Sequence, residues 1–99
     1  MPRHLLSFVV NDDGTFLAMH ADVAGLDLLI HSLMKLREFA AEGECEHTHF
    51  FADPDLGGEL TTSKLQNQSQ ESTNVMHLKM YGWTDEWAKR HRLLADESP

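Results

Sequence analysis

Cys45-Glu46-His47-Thr48-His49-Phe50-Phe51 and Asn74-Val75-Met76-His77-Leu78-Lys79-Met80-Tyr81 are the stretches that decide the fold of this chain. Successive side chains of a β-strand point to opposite faces. In the first stretch Cys45, His47 and His49 share one face, and Thr48 and Phe50 share the other. In the second, Met76, Leu78 and Met80 alternate with Val75, His77, Lys79 and Tyr81. Such a period of two marks half-buried strands of an antiparallel sheet, with the methionines inward and the imidazoles outward. Paired side by side, the two stretches would bring His77 beside His47 and His49.

A sheet with one apolar face needs a second layer, and the chain supplies a helix between the two stretches. Asp22 is a suitable N-cap, since its carboxylate can accept from the free amides of a first turn. Leu26, Leu29, Ile30, Leu33, Leu36 and Ala40 then recur at three- and four-residue steps, while His31, Lys35 and Glu38 fall mainly on the other side. The helix is expected to run to about Glu42, with Gly43 as its stop. Burying that stripe would contribute about 1.5–3 kcal/mol per large side chain.

Upstream, residues 4–10 read as a strand, Asn11-Asp12-Asp13-Gly14 as a turn, and Thr15 to His20 as the returning strand. Leu17 and Met19 compete with Phe16 and Ala18 for the inner face. Asp53-Pro54-Asp55-Leu56-Gly57-Gly58 breaks the third strand, and Glu59 to Thr62 is a short strand or simply extended. Ser63 to Thr73 is polar and reads as a loop. A short helix closes the chain. Thr84 caps it, Asp85 and Glu86 begin it, and Lys89, Arg90, His91 and Arg92 end it, an order that suits the helix dipole. Trp83, Trp87, His91 and Leu94 would form its inner face. The order β-β-α-β-(β)-β-α predicts a single α+β domain over residues 1–99. It would have an antiparallel sheet of four to five strands packed on one long helix.

Eight basic residues stand against sixteen acidic ones, a net charge of −8. Nucleic-acid binders need cations to displace counterions, so neither nucleic acid nor an anionic membrane is an expected partner. The excess instead suits solubility or attraction to a basic protein. A lone cysteine excludes an internal disulfide and fits a reducing cytosol. The N-terminal apolar run is too short for a signal peptide, and no stretch nears the roughly 20 apolar residues of a membrane span. The expected location is cytoplasmic.

Four segments together carry a family likeness. They are Ala24-Gly25-Leu26, which opens the leucine-rich helix, then His47-Thr48-His49-Phe50, Gly58-Glu59-Leu60-Thr61, and the strand Val75 to Tyr81. Over roughly residues 16–82 the chain resembles small α+β immunity proteins of bacterial polymorphic toxin systems. The polar stretch from Gln66 to Thr73 and the two-tryptophan tail depart from that pattern. The resemblance implies a protein that neutralises a cognate toxin by binding it, with no catalytic residue and no cofactor of its own.

The chemistry-bearing residues leave an alternative open. Cys45, His47, His49 and His77 are the types that bind zinc. Side chains two apart on a strand lie about 6.5 Å apart, so two can grip one ion but three in a row are stretched. A small metal-binding protein or metalloenzyme is therefore the alternative. Cys45 as a nucleophile is disfavoured, because Glu42, Glu44 and Glu46 would raise its pKa. The acidic pairs lie on turns and helix ends, away from any pocket that could tune a catalytic dyad. Gly57-Gly58 lacks the Lys-Ser/Thr of a phosphate loop. The binding reading instead assigns the partner contacts to Glu44, Glu46, His47, His49, Asp53, Asp55, His77 and Tyr81, with Lys79 on the same face. The acidic residues would steer a basic toxin. An unpaired strand edge could also serve a homodimer.

Overall fold

A computed structural model describes residues 3–62 and 72–95. Strand β1 (Leu6–Val10) turns through Asn11–Gly14 into β2 (Leu17–Ala21), and helix α1 follows at Val23–Ala41. Strand β3 (Glu46–Phe51) leads to a single 3₁₀ turn at Pro54–Leu56. Strands β4 (Thr73–Asn74) and β5 (His77–Gly82) come next, and helix α2 (Asp85–Arg90) ends the order. The polar loop expected at 63–73 lies outside the described residues up to position 71, and Thr73 belongs to β4.

Local chemistry explains the boundaries. In the hairpin turn Asp13 Oδ1 accepts from Asn11 Nδ2 at 2.6 Å and from Thr15 Oγ1 at 2.7 Å. Those bonds hold the Asp13 carboxyl below its ordinary range, with Thr15 the leading cause. Asp22 caps α1 as expected, its Oδ1 accepting from Gly25 N at 2.8 Å. The same oxygen accepts from Leu5 N at 2.9 Å, which ties the entry of β1 to the helix start. Gly43, at φ +93°, takes the left-handed conformation that ends the helix. Thr84 caps α2 with Oγ1 accepting from Trp87 N at 3.0 Å.

The fold is α+β with antiparallel strands, but the strands divide into two sheets. One has the order β2-β1-β4 and the other is the pair β3-β5. The division falls inside the stretch expected to be one strand. Val75 N donates to Phe8 O at 2.8 Å, while the next carbonyl, Met76 O, accepts from Ala52 N at 2.9 Å. The chain thus leaves β1 for β3 at Val75–Met76, and the alternation changes phase there. Val75 packs on the core and Met76 is 60% exposed, the reverse of the expected assignment. Beyond the break Leu78 and Met80 point inward as expected.

The core is small. Leu6, Phe8, Phe50 and Leu60 form its buried centre, with Leu28 and Leu29 of α1 packed against it. Residues 59–62 are extended and stitch the two sheets together. Leu60 N donates to Phe51 O at 3.1 Å, and Thr61 N donates to Leu6 O at 2.8 Å. The β1–β2 register sets Val10 opposite Leu17, Phe8 opposite Met19 and Leu6 opposite Ala21. Leu17 and Met19 therefore belong to the core side, yet both remain exposed. The sheet also covers less of α1 than the leucine stripe suggests. Gly25 and Leu36 are buried, whereas Leu26, Ile30 and Leu33 are exposed.

Candidate partner-binding face

The β3–β5 register opposes His47 to Tyr81, His49 to Lys79 and Phe51 to His77. The alternate pairs, Thr48 with Met80 and Phe50 with Leu78, face α1 and the core. The first set of side chains therefore stands on the opposite face, as period two requires. The sequence-assigned residues His47, His49, His77 and Tyr81 are thus brought together.

The rings form a continuous ridge. Phe51 stacks on His77 with centroids 4.4 Å apart, and His77 stacks on His49 at 4.9 Å. His47 meets His49 edge-on at 5.1 Å and Tyr81 at 5.8 Å. Tyr81 then stacks on Trp83 at 5.1 Å, Trp83 on Trp87 at 4.0 Å, and Trp87 on His91 at 4.0 Å. Lys79 Nζ sits 4.7 Å from the Tyr81 ring centroid, within cation–π range. Sequence reasoning placed Trp83, Trp87, His91 and Leu94 on the inner face of α2. The structure corrects this: Ala88 is the buried residue of that helix, and the rings extend the ridge. Phe51 was also missed as a member, although it follows His49 at the two-residue step of the strand.

The imidazoles are coupled. His49 Nδ1 lies 2.7 Å from His77 Nε2, so one ring donates to the other. Partial burial pushes the His49 pKa below its ordinary value, and the nearby His77, Lys79 and His47 push the same way. Cys45 does not join them: its Sγ is 3.8 Å from Thr84 Oγ1, at the foot of α2. Among the described residues no group of three or more His, Cys, Asp or Glu is placed to hold a metal ion. The four candidate ligands Cys45, His47, His49 and His77 are therefore not gathered into a coordination site.

Carboxylates flank the sheet portion of the ridge, beside both ends of β3. Glu44 and Glu46 are exposed where β3 begins, and Glu46 Oε1 lies 3.9 Å from His47 Nδ1. Asp53 and Asp55 are exposed just past Phe51, where Asp53 Oδ1 accepts from Asp55 N at 2.9 Å in the 3₁₀ turn. Glu59 is drawn inward, its Oε1 accepting from Phe51 N at 2.9 Å. The arrangement is an aromatic strip with exposed carboxylates beside both ends of β3. No described helix is long and apolar enough to cross a membrane. Compared with known proteins, the chain matches no family model, no curated protein and no solved structure.

Proposed function

We propose that this chain is a non-catalytic binding protein of the immunity type, which neutralises a cognate bacterial toxin by covering its working surface. The observation that carries this reading is the ring ridge from Phe51 to Trp83 on the open face of the β3–β5 pair. Large flat rings held by their neighbours lose little freedom on binding, and Tyr and Trp are the side chains that most often dominate interfaces. The carboxylates beside both ends of β3 would draw in a basic surface and set its orientation. The rings would supply the contact area. Inhibition is then steric: the toxin's active surface is occupied, and no bond is made or broken.

Co-expression with the toxin domain that this reading expects in a neighbouring reading frame is the direct test. The wild-type protein should rescue growth, and a Tyr81→Ala/Trp83→Ala variant that keeps its far-ultraviolet dichroism should fail to do so. Rescue by that double variant would remove the ridge from the mechanism. Failure of the wild type to rescue would remove the function.

A further inference from the structure

Strand β3 has one free edge, and a small cleft runs along it. The backbone groups of successive strand residues point alternately to the two sides. Ala52 N donates toward β5, to Met76 O at 2.9 Å. Phe51 points the other way: its N donates to Glu59 Oε1 at 2.9 Å and its O accepts from Leu60 N at 3.1 Å. The β3–β5 register runs without a break from Glu46 to Phe51, so His49 and His47 also turn their N–H and C=O groups away from β5. Residues 59–62 cover this edge at Phe51 and then leave for β1, where Thr61 N donates to Leu6 O. His47 N donates to Glu46 Oε1 at 3.2 Å. The His49 N–H and the carbonyls of His47 and His49 are left with no described strand beside them.

The cleft has a volume of about 220 Å³ and is lined chiefly by His31, Ser32, Lys35 and Phe39 of α1 and by His47 and Thr48 of β3. His47 and Thr48 stand on opposite faces of the strand, so a cavity that touches both lies along its free edge. His31, Lys35 and Phe39 recur at four-residue steps and form one row on the helix wall. The lining is a lysine, two imidazoles and two hydroxyls beside an aromatic ring. Among the described residues no carboxylate lines the cleft, and Lys35 has no ion pair. A chain with a net charge of −8 thus keeps its carboxylates out of this one cavity beside an open strand edge.

We infer that this edge takes an extended acidic segment of a partner protein, added as a strand beside β3 with a carboxylate side chain against Lys35. An unpaired strand edge is a template for another strand. Main-chain bonds to His47 and His49 hold the segment, and the charge on the helix wall selects its side chain. The edge site and the ring ridge share His47 but are otherwise separate, since the ridge stands on the sheet face and the cleft runs along the strand edge. The inference is independent of what the ridge binds.

Nitrogen-15 titration of the full chain with short blocked peptides tests it. The probes are threonine-valine-glutamate-valine-threonine, the same peptide with lysine in place of glutamate, and the glutamate peptide methylated on every backbone nitrogen. At millimolar concentration the glutamate peptide should shift the His49 amide and slow its hydrogen exchange. The lysine peptide should bind about tenfold more weakly or worse, because it sets like charges together. Lys35→Glu, on an exposed helix position, should reverse that preference with unchanged helical dichroism. The methylated peptide, which cannot donate to the edge, should leave the His49 amide unprotected. Three results would each overturn the inference. One is a His49 amide that no peptide moves, and another is a preference that Lys35→Glu leaves unaltered. The third is acetate alone reproducing every shift, which makes the cleft an ion site with no added strand. Protection of the His49 amide that rises with protein concentration and ignores the peptides would give the edge to a second copy instead.

Discussion

His49 Nδ1 and His77 Nε2 are 2.7 Å apart across the β3–β5 pair, so the two rings cannot both carry full charge without breaking that bond. Burial, then His77, Lys79 and His47, all lower the His49 pKa. For a histidine whose pKa falls on folding, the unfolded chain takes up its proton first. The stability from the neutral ring is therefore complete above the ordinary value of 6.5 and is lost as pH falls through it. A nitrogen-detected titration should place the His49 midpoint below 6.5, and His77→Ala should move it upward. A wild-type midpoint above 6.5 would show that the pair does not form.

Phe50 and Phe51 are neighbours in sequence with opposite fates. Phe50 sits in the core, while Phe51 stacks on His77 over the open face. Phe50→Ala should cost about 3–5 kcal/mol, the usual loss for an emptied aromatic core site. Phe51→Ala should cost about 1.5 kcal/mol or less, since it forfeits mainly the ring stack. Urea unfolding of the two variants reads the register of β3 directly. A slip of one residue would exchange the two values.

Much of this architecture is legible in the chain because local chemistry and tertiary demand agree. Asp22, Gly43 and Thr84 are caps by side-chain type alone, and they cap where expected. The outward row His47, His49, His77 and Tyr81 follows from alternation once β3 and β5 pair. Val75 and Met76 were misplaced because alternation holds only while a strand keeps one partner. This strand changes from β1 to β3 at that point, which costs a residue of phase. The tryptophans were misassigned for another reason. An apolar spacing of four reads the same whether the rings enter a core or stack on one another, and only the neighbouring strand decides. The width of the α1 stripe was visible, but how much of it the sheet would cover was not.

Asp22 joins two elements through one oxygen, accepting from Leu5 N and Gly25 N. Those bonds, Leu5 first, hold its carboxyl below the ordinary value of 3.8. A carboxylate whose pKa falls on folding stabilises fully above its unfolded value, and the effect is lost as pH drops through the folded one. Asp22→Ala should therefore lower the melting temperature at neutral pH. It should also flatten the loss of stability below pH 3.8, where the wild type is surrendering the same bonds. Asp22→Asn, which keeps an accepting oxygen, should recover most of the melting temperature but not the acid slope. Equal acid slopes in all three proteins would remove the tie.

Gly25 is where the β1 entry crosses the first turn of α1. A Cβ built there falls on the carbonyl oxygen of Leu5, which itself accepts from Asp22 N at 3.1 Å. Alanine normally favours a helix by about 1 kcal/mol over glycine. Here the obstacle is backbone and cannot swing aside, and overpacking of this kind costs about 1–3 kcal/mol. Gly25→Ala should be net destabilising in a urea titration, against the propensity scale. A stabilised variant would mean that residues 3–5 do not lie over the helix.

Trp83 and Trp87 lie 4.0 Å apart with ring planes within 10° of parallel, one before the start of α2 and the other in its first turn. Two indoles this close couple their electronic transitions, so the folded protein should show a far-ultraviolet exciton couplet. The couplet belongs to the pair, and Trp83→Phe or Trp87→Phe should each abolish all of it and not half. Stability should fall far less, by about 0.5–1.5 kcal/mol, because an aromatic stack is replaced by a smaller one. The same two variants bear on the binding face, since Tyr81 stacks on Trp83 at 5.1 Å and is held flat by it. If the couplet is absent from the folded wild type, the ridge ends at Tyr81 and α2 does not contribute to it. If it is present and vanishes in both variants, the strip offered to a partner runs unbroken from the sheet onto the helix.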